Sequence, residues 1–164
     1  VQRPYNAGEG SLYGIELEMK KQLNEMVEGL GVFANATVQD SSLTTNGFTR
    51  PIKQTSDYLY NVGIDHTIAA YKFTYGAAYR YVGGYEDPVD ENGFSQTLKG
   101  YGSLDLYASK RLNPTFKMGL NLKNITRESI ETTSQLYSGG TLVQTQRDKE
   151  KSRASVLLTL EGKW

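Results

Sequence analysis

The last eleven residues of the chain alternate strictly between two kinds of side chain and end on a tryptophan. From Ala154 to Trp164, small or apolar residues occupy every second position. The positions between them carry Ser155, Leu157, Thr159, Glu161 and Lys163. Because successive side chains of a strand point to opposite faces, this period of two predicts a β-strand with one apolar face. Its length matches the about 9 to 11 residues with which a tilted strand crosses a bilayer.

Composition limits the ways in which this chain could cross a membrane. It has 164 residues, of which 38% are hydrophobic, and its longest apolar runs fall far short of a membrane-spanning helix. In lipid, only helices and closed β-sheets satisfy the hydrogen-bonding groups of the backbone. Membrane insertion of this chain would therefore use β-strands.

Charge and cysteine content narrow the function classes only slightly. The chain has 18 basic and 18 acidic residues, so no single-sign field favours nucleic acid, and we expect no nucleic-acid partner. Cysteine is absent, which is compatible with an oxidising periplasm and with the cytosol alike. Val1 opens the chain without a targeting segment, so we expect either a mature form or a piece of a longer protein.

Turn and loop residues divide the chain into seven alternating segments, which we interpret as membrane-spanning strands. They cover residues 13–20, 30–39, 58–65, 71–81, 103–109, 116–123 and 154–164. The central part of each apolar phase has no charged residue. A lipid-facing surface requires this, because Arg or Lys at the bilayer midplane costs roughly 2 to 4 kcal/mol. The pattern predicts an all-β fold, a section of an antiparallel transmembrane β-barrel with about seven strands.

The connections between these segments alternate in length. Short connections lie at residues 22–28, 67–70 and 113–114, and long ones lie at 40–55, 86–99 and around 138–140. Outer-membrane barrels have short periplasmic turns and longer extracellular loops. The strand that ends at Trp164 finishes on the side of the short turns, so we expect a periplasmic C-terminus.

The last two strands are predicted to form a tall hairpin. Residues 115–137 and 141–164 are nearly equal arms around Ser138, Gly139 and Gly140. Each arm is about twice as long as a membrane crossing. We expect the excess to stand outside the bilayer as a charged ribbon.

Aromatic residues mark the two edges of the predicted apolar band. Tyr71 and Tyr81 share a phase of the fourth segment, and the ten residues between them span about 34 Å along a strand. Aromatic girdles border such bands at both membrane interfaces. The periplasmic girdle is predicted to contain Tyr71, Phe116 and Trp164. The extracellular girdle is predicted to contain Tyr13, Tyr58, Tyr79 and Tyr81.

Four segments resemble, in the right order, sequence patterns of TonB-dependent outer-membrane receptors. Residues 3–18, with Asn6, Gly8 and the run from Gly14 to Glu18, are similar to the pattern that opens a strand in that family. The other three matching segments are residues 31–37 (GVFANAT), 104–109 (LDLYAS) and 119–125 (GLNLKNI). The terminal aromatic residue also resembles the end of these receptors.

The resemblance implies that residues 1–164 are the C-terminal part of a 22-stranded barrel, without the N-terminal plug domain that fills such barrels. It implies a location in the outer membrane of a Gram-negative bacterium and active uptake of a scarce nutrient, such as a ferric siderophore. It implies no enzymatic activity. Since a sheet of seven strands would leave two open edges, we do not expect this chain alone to form a finished barrel.

Several partners follow from the same resemblance. Outer-membrane lipid would surround the strands, and the rest of the barrel and the plug would lie in the same or in another chain. TonB would act through the absent plug. The barrel-assembly machinery would recognise the strand that ends at Trp164.

The residues themselves predict no catalytic, cofactor or metal site. The single histidine, His66, lies at the end of the third segment with Asp65 on the opposite face, and we interpret it as a girdle residue. The acidic loop from Glu86 to Gly93 lacks the spacing of a calcium loop, so we interpret it as a solvated loop. No helix is predicted after Gly83 and Gly84, which excludes a phosphate-binding loop there.

Two groups of residues are candidates to line a substrate path, although the pattern assigns a binding role to none of them. The charged group lies on or near the polar phase and comprises Arg3, Glu16, Glu18, Lys72, Arg80, Asp105 and Arg111. The aromatic group lies in the long connections and comprises Tyr5, Phe48, Tyr85 and Phe94. Aromatic side chains offer a large contact area at a low entropic cost.

Two other architectures share the alternation. A self-contained small outer-membrane barrel with a structural or adhesive role would need an eighth strand or an oligomer to close. A soluble lipocalin-like barrel would turn the same apolar face inwards. The terminal Trp164, the paired tyrosine girdles and the charged hairpin favour the transporter section.

Overall fold

The structure is a computed structural model and describes residues 8–45 and 47–163, except for the side chain of Phe48. Within these residues the chain is built almost wholly from antiparallel β-strands. A search of the same residues found no helix with the length and hydrophobicity needed to span a membrane.

The described residues form twelve β-strands and one short 3₁₀ turn. In chain order the strands are β1 (Glu9–Gln22), β2 (Leu30–Thr45), β3 (Phe48–Arg50), β4 (Tyr58–Ile68), β5 (Phe73–Val82), β6 (Tyr85–Asp87), β7 (Phe94–Leu98), β8 (Tyr101–Arg111), β9 (Phe116–Lys123), β10 (Ser129–Ser138), β11 (Thr141–Lys151) and β12 (Ser155–Gly162). The 3₁₀ turn, Ala69–Tyr71, connects β4 to β5.

Seven strands follow one another across a single antiparallel sheet, which we call the main sheet. Their order is β1, β2, β4, β5, β8, β9 and β12, and β3 is paired to β2 beside this path. Each strand corresponds to one of the seven segments predicted from the alternation, so the prediction of an antiparallel barrel section is confirmed. No ladder joins β1 to β12 within the described residues, and both edges of the main sheet are open.

The remaining strands form a second sheet, in the order β11, β10, β7 and β6. The strand count is therefore larger than the predicted number of about seven. The long connections after β5 and β9 are themselves hairpins, and β7 of the first pairs with β10 of the other, from Leu98 opposite Thr132 to Phe94 opposite Leu136. We call the end of the main sheet that carries the second sheet the long-loop end, and the other end the short-turn end.

The middle of one face of the main sheet is apolar on all seven strands, whereas Lys21, which lies opposite Val32, is a charged residue of this face near the short-turn end of β1. A single cross-strand row contains Val32, Ile64, Ala77, Leu106, Leu122 and Val156. The side chains on this face are exposed, with 71% of Val156 and 69% of Ile15 accessible. Among the described residues, no hydrophobic side chain is buried. Because the sheet has no core of its own, this face needs an apolar solvent, which lipid tails supply.

Aromatic rings cover glycines on the neighbouring strands. On the polar face the ring of Phe33 occupies the space where a side chain of Gly63 would lie, and on the apolar face Tyr79 covers Gly102 in the same way. Glycine contributes no side-chain packing to a strand, and a ring lying across it supplies the missing contacts. These pairs therefore stiffen the sheet at positions that would otherwise be weak.

A cluster of tyrosines lies on the apolar face at the long-loop end. The ring of Tyr81 stacks on Tyr60 and on Tyr58, with centroids 5.1 Å and 6.0 Å apart. The ring centroid of Tyr79 lies 6.3 Å from that of Tyr60. Tyr58, Tyr79 and Tyr81 of the predicted girdle are thus brought together, and Tyr60 joins them because it lies on the same phase of β4.

The predicted girdle at the other end is not reproduced as a row. Tyr71 belongs to the 3₁₀ turn, and β5 begins only at Phe73. Lys72, in the left-handed conformation with φ 50°, lets the chain reverse between the two, so Tyr71 and Tyr81 do not lie on one strand. Phe116 begins β9, while Trp164 lies outside the described residues.

The terminal hairpin is bent rather than continuous. Its first arm is interrupted between β9 and β10, where Asn124 and Arg127 adopt left-handed backbone conformations with φ 52° and 53°. Its second arm is interrupted at residues 152–154, between β11 and β12. The Nδ2 atom of Asn124 donates to Oγ of Ser152 at 2.6 Å and links the two interruptions. The ribbon beyond the bend belongs to the second sheet instead of prolonging the main sheet.

Leu158→Arg and Leu157→Arg should distinguish the two faces of β12. Leu158 lies on the apolar face opposite Leu120, and Leu157 lies on the polar face opposite Asn121. In the complete transporter, reconstituted in phospholipid vesicles, we expect Leu158→Arg to lower the free energy of unfolding by roughly 2 to 4 kcal/mol, because it places a charge against lipid. Leu157→Arg should lower the free energy of unfolding much less. Denaturant titration measures both changes, and equal losses would contradict a lipid-facing apolar surface.

Gly102→Ala should destabilise the main sheet, because the added methyl group would collide with the ring of Tyr79. We expect a loss of about 1 to 3 kcal/mol in the same titration, which Tyr79→Ser in the same chain should partly restore. Gly10→Ala is the control, since its methyl group would lie 3.6 Å from the nearest atom of Leu43, an ordinary contact. If the two alanine variants lose equal stability, the ring contact is not the cause.

Candidate functional site

The polar face of the main sheet brings together most of the charged residues predicted to line a wall. One row across five strands contains Glu18, Asn35, Asn61, Arg80 and Ser103. Glu16, Asp105 and Arg111 belong to the same phase of their strands. Lys72 does not, because it lies in the turn before β5, and Arg3 lies outside the described residues. Charged and amide side chains thus share one face, which a closed barrel turns towards its lumen.

Asp105 differs from the other wall residues because its carboxylate already has partners. Its Oδ1 atom accepts hydrogen bonds from the backbone N–H of Asn124 at 2.7 Å and from Oγ of Ser103 at 3.2 Å. Two donors on one oxygen hold the carboxylate against the bend that follows β9. We therefore assign Asp105 a structural role at this bend.

His66 lies at the short-turn end on the apolar phase of β4. Its Nε2–H donates to the carbonyl oxygen of Glu28 at 3.1 Å, and its Nδ1 lies 3.0 Å from the hydroxyl oxygen of Tyr75. Because a carbonyl oxygen only accepts, Nε2 carries a proton, and Nδ1 pairs with the hydroxyl group of Tyr75. Asp65 lies on the opposite face, opposite Gly31 and Gly76, and cannot assist the ring.

The acidic loop from Glu86 to Gly93 is partly latched rather than simply solvated. Asp87 is 5% exposed, and its Oδ1 accepts from the backbone N–H of Gln54 at 3.0 Å. Asp90 forms an ion pair with Lys53 and accepts from the backbone N–H groups of Asn92 and Phe94 at 2.9 and 2.8 Å. These two carboxylates fasten the loop after β6 to the connection between β3 and β4. Among the described residues, no three His, Asp or Glu side chains converge in a way that could hold a metal ion.

The surroundings of Asp90 favour its charged form. Burial by itself raises the pKa of this carboxyl group, but the hydrogen bond from Lys53 and those from the N–H groups of Phe94 and Asn92 outweigh it. The pKa therefore lies below its usual value of 3.8. At neutral pH the latch is held by a full negative charge facing a full positive one.

Gln54 and Tyr85 extend the same latch through uncharged groups. Oε1 of Gln96 accepts from Nε2 of Gln54 at 3.0 Å and from the hydroxyl group of Tyr85 at 3.1 Å. Burial, followed by the nearby charge of Asp87, raises the pKa of Tyr85. Its phenol therefore stays protonated and serves as a donor.

A cleft of about 630 Å³ opens between the two latched loops at the long-loop end. Its lining comprises Thr45, Thr49, Arg50, Pro51, Pro88, Val89, Asp90 and Glu91. We call it the loop cleft. It combines a guanidinium group, two carboxylates and apolar rings, and its volume falls in the range of small-molecule sites, about 300 to 1,000 Å³.

Sequence reasoning found the acidic rim of the loop cleft but missed Arg50 and Gln54 on the other loop. The only sequence signal for a contact between the two loops was that Lys53 is positively charged and the loop from Glu86 to Gly93 is acidic. Of the predicted aromatic contacts, Tyr85 is engaged in the latch, and Phe94 lines a separate pocket of about 150 Å³ with Leu136, Gln144 and Gln146 among others. Tyr5 and the side chain of Phe48 lie outside the described residues.

A comparison with protein families gave a match over most of the chain. The family is described as TonB dependent receptor-like, beta-barrel, and the match covers residues 1–125, from before β1 to just past β9. The chain belongs to this family. The comparisons with curated proteins and with solved structures gave no match.

Membership of the TonB-dependent receptor family explains the open, coreless main sheet. Its members are β-barrels of the Gram-negative outer membrane that transport substrates with the help of a plug and of TonB. The chain therefore forms part of the β-barrel of an outer-membrane transporter. The family consists of receptors and transporters rather than enzymes. The resemblance seen in the sequence is confirmed.

Asp90→Asn should open the latch, whereas Glu91→Gln, which changes an exposed neighbour in the same cleft, should not. Lys53 would lose its ionic partner, so we expect trypsin to cleave after Lys53 several times faster in the first variant. Gel analysis or mass spectrometry of timed digests measures this rate. If both variants are cleaved at the wild-type rate, Asp90 does not hold the loop.

Acid should weaken the same latch with a defined sign. Because the pKa of Asp90 is lower in the folded protein than its unfolded value of 3.8, its stabilising effect is complete above that value. The effect is lost as the pH falls through the lower, folded pKa. We expect the unfolding free energy of the wild type to decline in this window and that of Asp90→Asn to decline less. Parallel profiles would contradict this role of the carboxylate.

Proposed function

We propose that residues 1–164 form the C-terminal barrel section of a TonB-dependent transporter that takes up a ferric siderophore. The loop cleft is the observation that carries this proposal, because it offers a site of about 630 Å³ at the end of the polar face. A substrate leaving the cleft would meet the charged and amide row formed by Glu18, Asn61 and Arg80. A binding site and a polar path thus follow one another on the same sheet.

The chemistry of the loop cleft suits a ligand with both charged and apolar parts. Arg50 supplies a planar guanidinium group for anionic oxygens, and Pro51, Pro88 and Val89 supply apolar surface. Ferric siderophores combine such features. Their release into the cell would require the plug and TonB, which act on the barrel from other parts of the transporter.

In this proposal the two ends of the main sheet lie on opposite sides of the outer membrane. The long-loop end, with the loop cleft, would face the medium, and the short-turn end with the C-terminus would face the periplasm. The barrel-assembly machinery would recognise the last strand, β12, and the residues that follow it to Trp164. The alternative is a self-contained small outer-membrane barrel with a structural or adhesive role, which uptake independent of TonB would favour.

Arg50→Glu should impair uptake in cells that carry the complete transporter. It would place a third carboxylate beside Asp90 and Glu91, so an anionic iron complex should bind about tenfold more weakly. We expect the KM for uptake of radioactive iron, presented as a ferric siderophore, to rise while the maximal rate stays near that of the wild type. Lys21→Glu, at the short-turn end, makes the same charge change and serves as the control.

Three results would count against the proposal, each against a different part of it. Iron uptake that is equal with and without TonB would exclude energised transport through this barrel. Uptake of no ferric siderophore, across hydroxamate, catecholate and carboxylate types, would leave the family role but remove the substrate class. A normal KM in Arg50→Glu would exclude the loop cleft as the binding site.

A further inference from the structure

A basic cleft lies where the terminal hairpin bends between the two sheets. It has a volume of about 640 Å³ and is lined by Arg127, Ser129, Lys151, Ser152, Arg153 and Ala154. The lining contains three cationic side chains and two hydroxyl groups, and it contains no carboxylate. We propose that this cleft binds a phosphate group.

The three cations of the cleft are available to an external anion. Within the described residues, the ion pairs are formed by Lys53, Lys99, Lys117 and Lys149, and none involves Arg127, Lys151 or Arg153. Glu131, the acid of β10, is already engaged, because it pairs with Lys149 and Lys99. Glu128 is adjacent in sequence to Arg127 and Ser129 but does not line the cleft. The hydrogen bond and charge of Lys149, followed by the charge of Lys99, hold the pKa of Glu131 below its usual value. Glu131 therefore stays ionised and bound to its own partners.

The sequence of β11 separates its acids from its bases. Residues 147–153 read Arg-Asp-Lys-Glu-Lys-Ser-Arg, so basic residues occupy the odd positions and acidic residues the even ones up to 150. Lys151 lies opposite Ser129, another residue of the cleft, whereas Glu150 lies opposite Ile130 on the other face. Strand alternation thus keeps the carboxylate of Glu150 away from the cleft without removing it from the chain.

Hydrogen bonds hold the cleft in shape from both arms of the hairpin. Nδ2 of Asn124 donates to Oγ of Ser152 at 2.6 Å, and the N–H of Asn124 donates to Asp105 at 2.7 Å. The N–H of Arg127 donates to the carbonyl oxygen of Asn124 at 3.1 Å, which closes a tight turn. Arg127 takes a left-handed φ of 53°, a conformation that a residue with a large side chain rarely adopts and that the tight turn imposes here. A site fixed in advance costs less to order when a ligand binds.

Phosphate matches these groups better than a neutral ligand would. Its oxygens can accept paired hydrogen bonds from each guanidinium group, a point contact from Lys151 and hydrogen bonds from the two serines. The cleft lies just beyond the apolar face, since Val156, which belongs to that face, follows Ala154 by two residues. The phosphate could therefore belong to a lipid headgroup at the membrane surface or to a solute near the long loops.

Calorimetric titration of the full chain in neutral detergent micelles tests the proposal with two probes. The first is inorganic phosphate, and the second is phosphatidic acid added to the micelles. Arg127→Gln, Lys151→Gln and Arg153→Gln in one chain should weaken binding about tenfold or more. The control carries Lys20→Gln, Lys21→Gln and Lys110→Gln, which remove the same charge at the short-turn end. Arg127→Lys with Arg153→Lys keeps the charge but loses the paired hydrogen bonds of the guanidinium groups, so it should weaken binding less than the triple variant does.

Each outcome of the titration decides the proposal. Selective weakening in the cleft variant supports it, and binding of phosphatidic acid alone assigns the site to a lipid headgroup. Binding of inorganic phosphate, alone or as well, assigns it to a phosphate group irrespective of its carrier. Binding of neither probe, or equal weakening in the control, overturns it. If the triple variant lacks the wild-type β-sheet circular dichroism, Arg153→Gln alone is titrated in its place.

Discussion

The structure depends on a sheet that keeps one face apolar across seven strands without possessing a core. Its ladders run in uninterrupted register, and the one register shift in the long pairings, at Leu136 and Tyr137, lies in the second sheet. A slip of one residue in any main-sheet strand would exchange its two faces and turn groups such as Glu18 or Arg80 towards lipid. The membrane therefore enforces the register as strictly as a packed core does in a water-soluble protein. Every polar residue that lines the other face owes its position to this constraint.

The same constraint explains why the main sheet could be predicted from the sequence. Lipid permits no charge in the middle of the apolar phase, so the alternation in β1, β2 and β12 is nearly free of exceptions and reveals both the strands and their facing. Strand ends are less strictly defined, because the interface tolerates many residue types. Tyr71 is aromatic and in phase with the tyrosines of β5, so it continues the sequence pattern of that strand. The left-handed backbone of Lys72 nevertheless separates Tyr71 from β5, which begins at Phe73. The family resemblance rested on the same well-defined strands, which is why it identified the transporter class.

The long loops follow no such rule, and their contacts were beyond the reach of sequence reasoning. The latch joins Gln54 to Asp87 and to Gln96, and Lys53 to Asp90, across 33 to 42 residues. Each contact is a single polar pair, and the residues that form these pairs follow no periodic pattern in the sequence. Each of these polar groups could equally have formed its hydrogen bond with water. The acidic loop was recognisable as acidic, but its partners depended on how two hairpins lean together in space. The loop cleft exists only because of that arrangement, so its lining could not be listed in advance.

The division into two sheets follows from a change of solvent along the same strands. All four segments that pass from the main sheet to the second are interrupted, at residues 83–84, 99–100, 124–128 and 152–154. On the side of the main sheet, lipid stabilises one face of the strands. On the side of the second sheet, polar pairs such as Glu131 with Lys149 provide the stabilisation instead. A bend at this level frees the second sheet from the curvature of a barrel wall, so its strands can pair as the loops require. The bend also leaves Arg127 and Arg153 together at the boundary between the two environments, where an anionic group would find cations that neither sheet uses for itself.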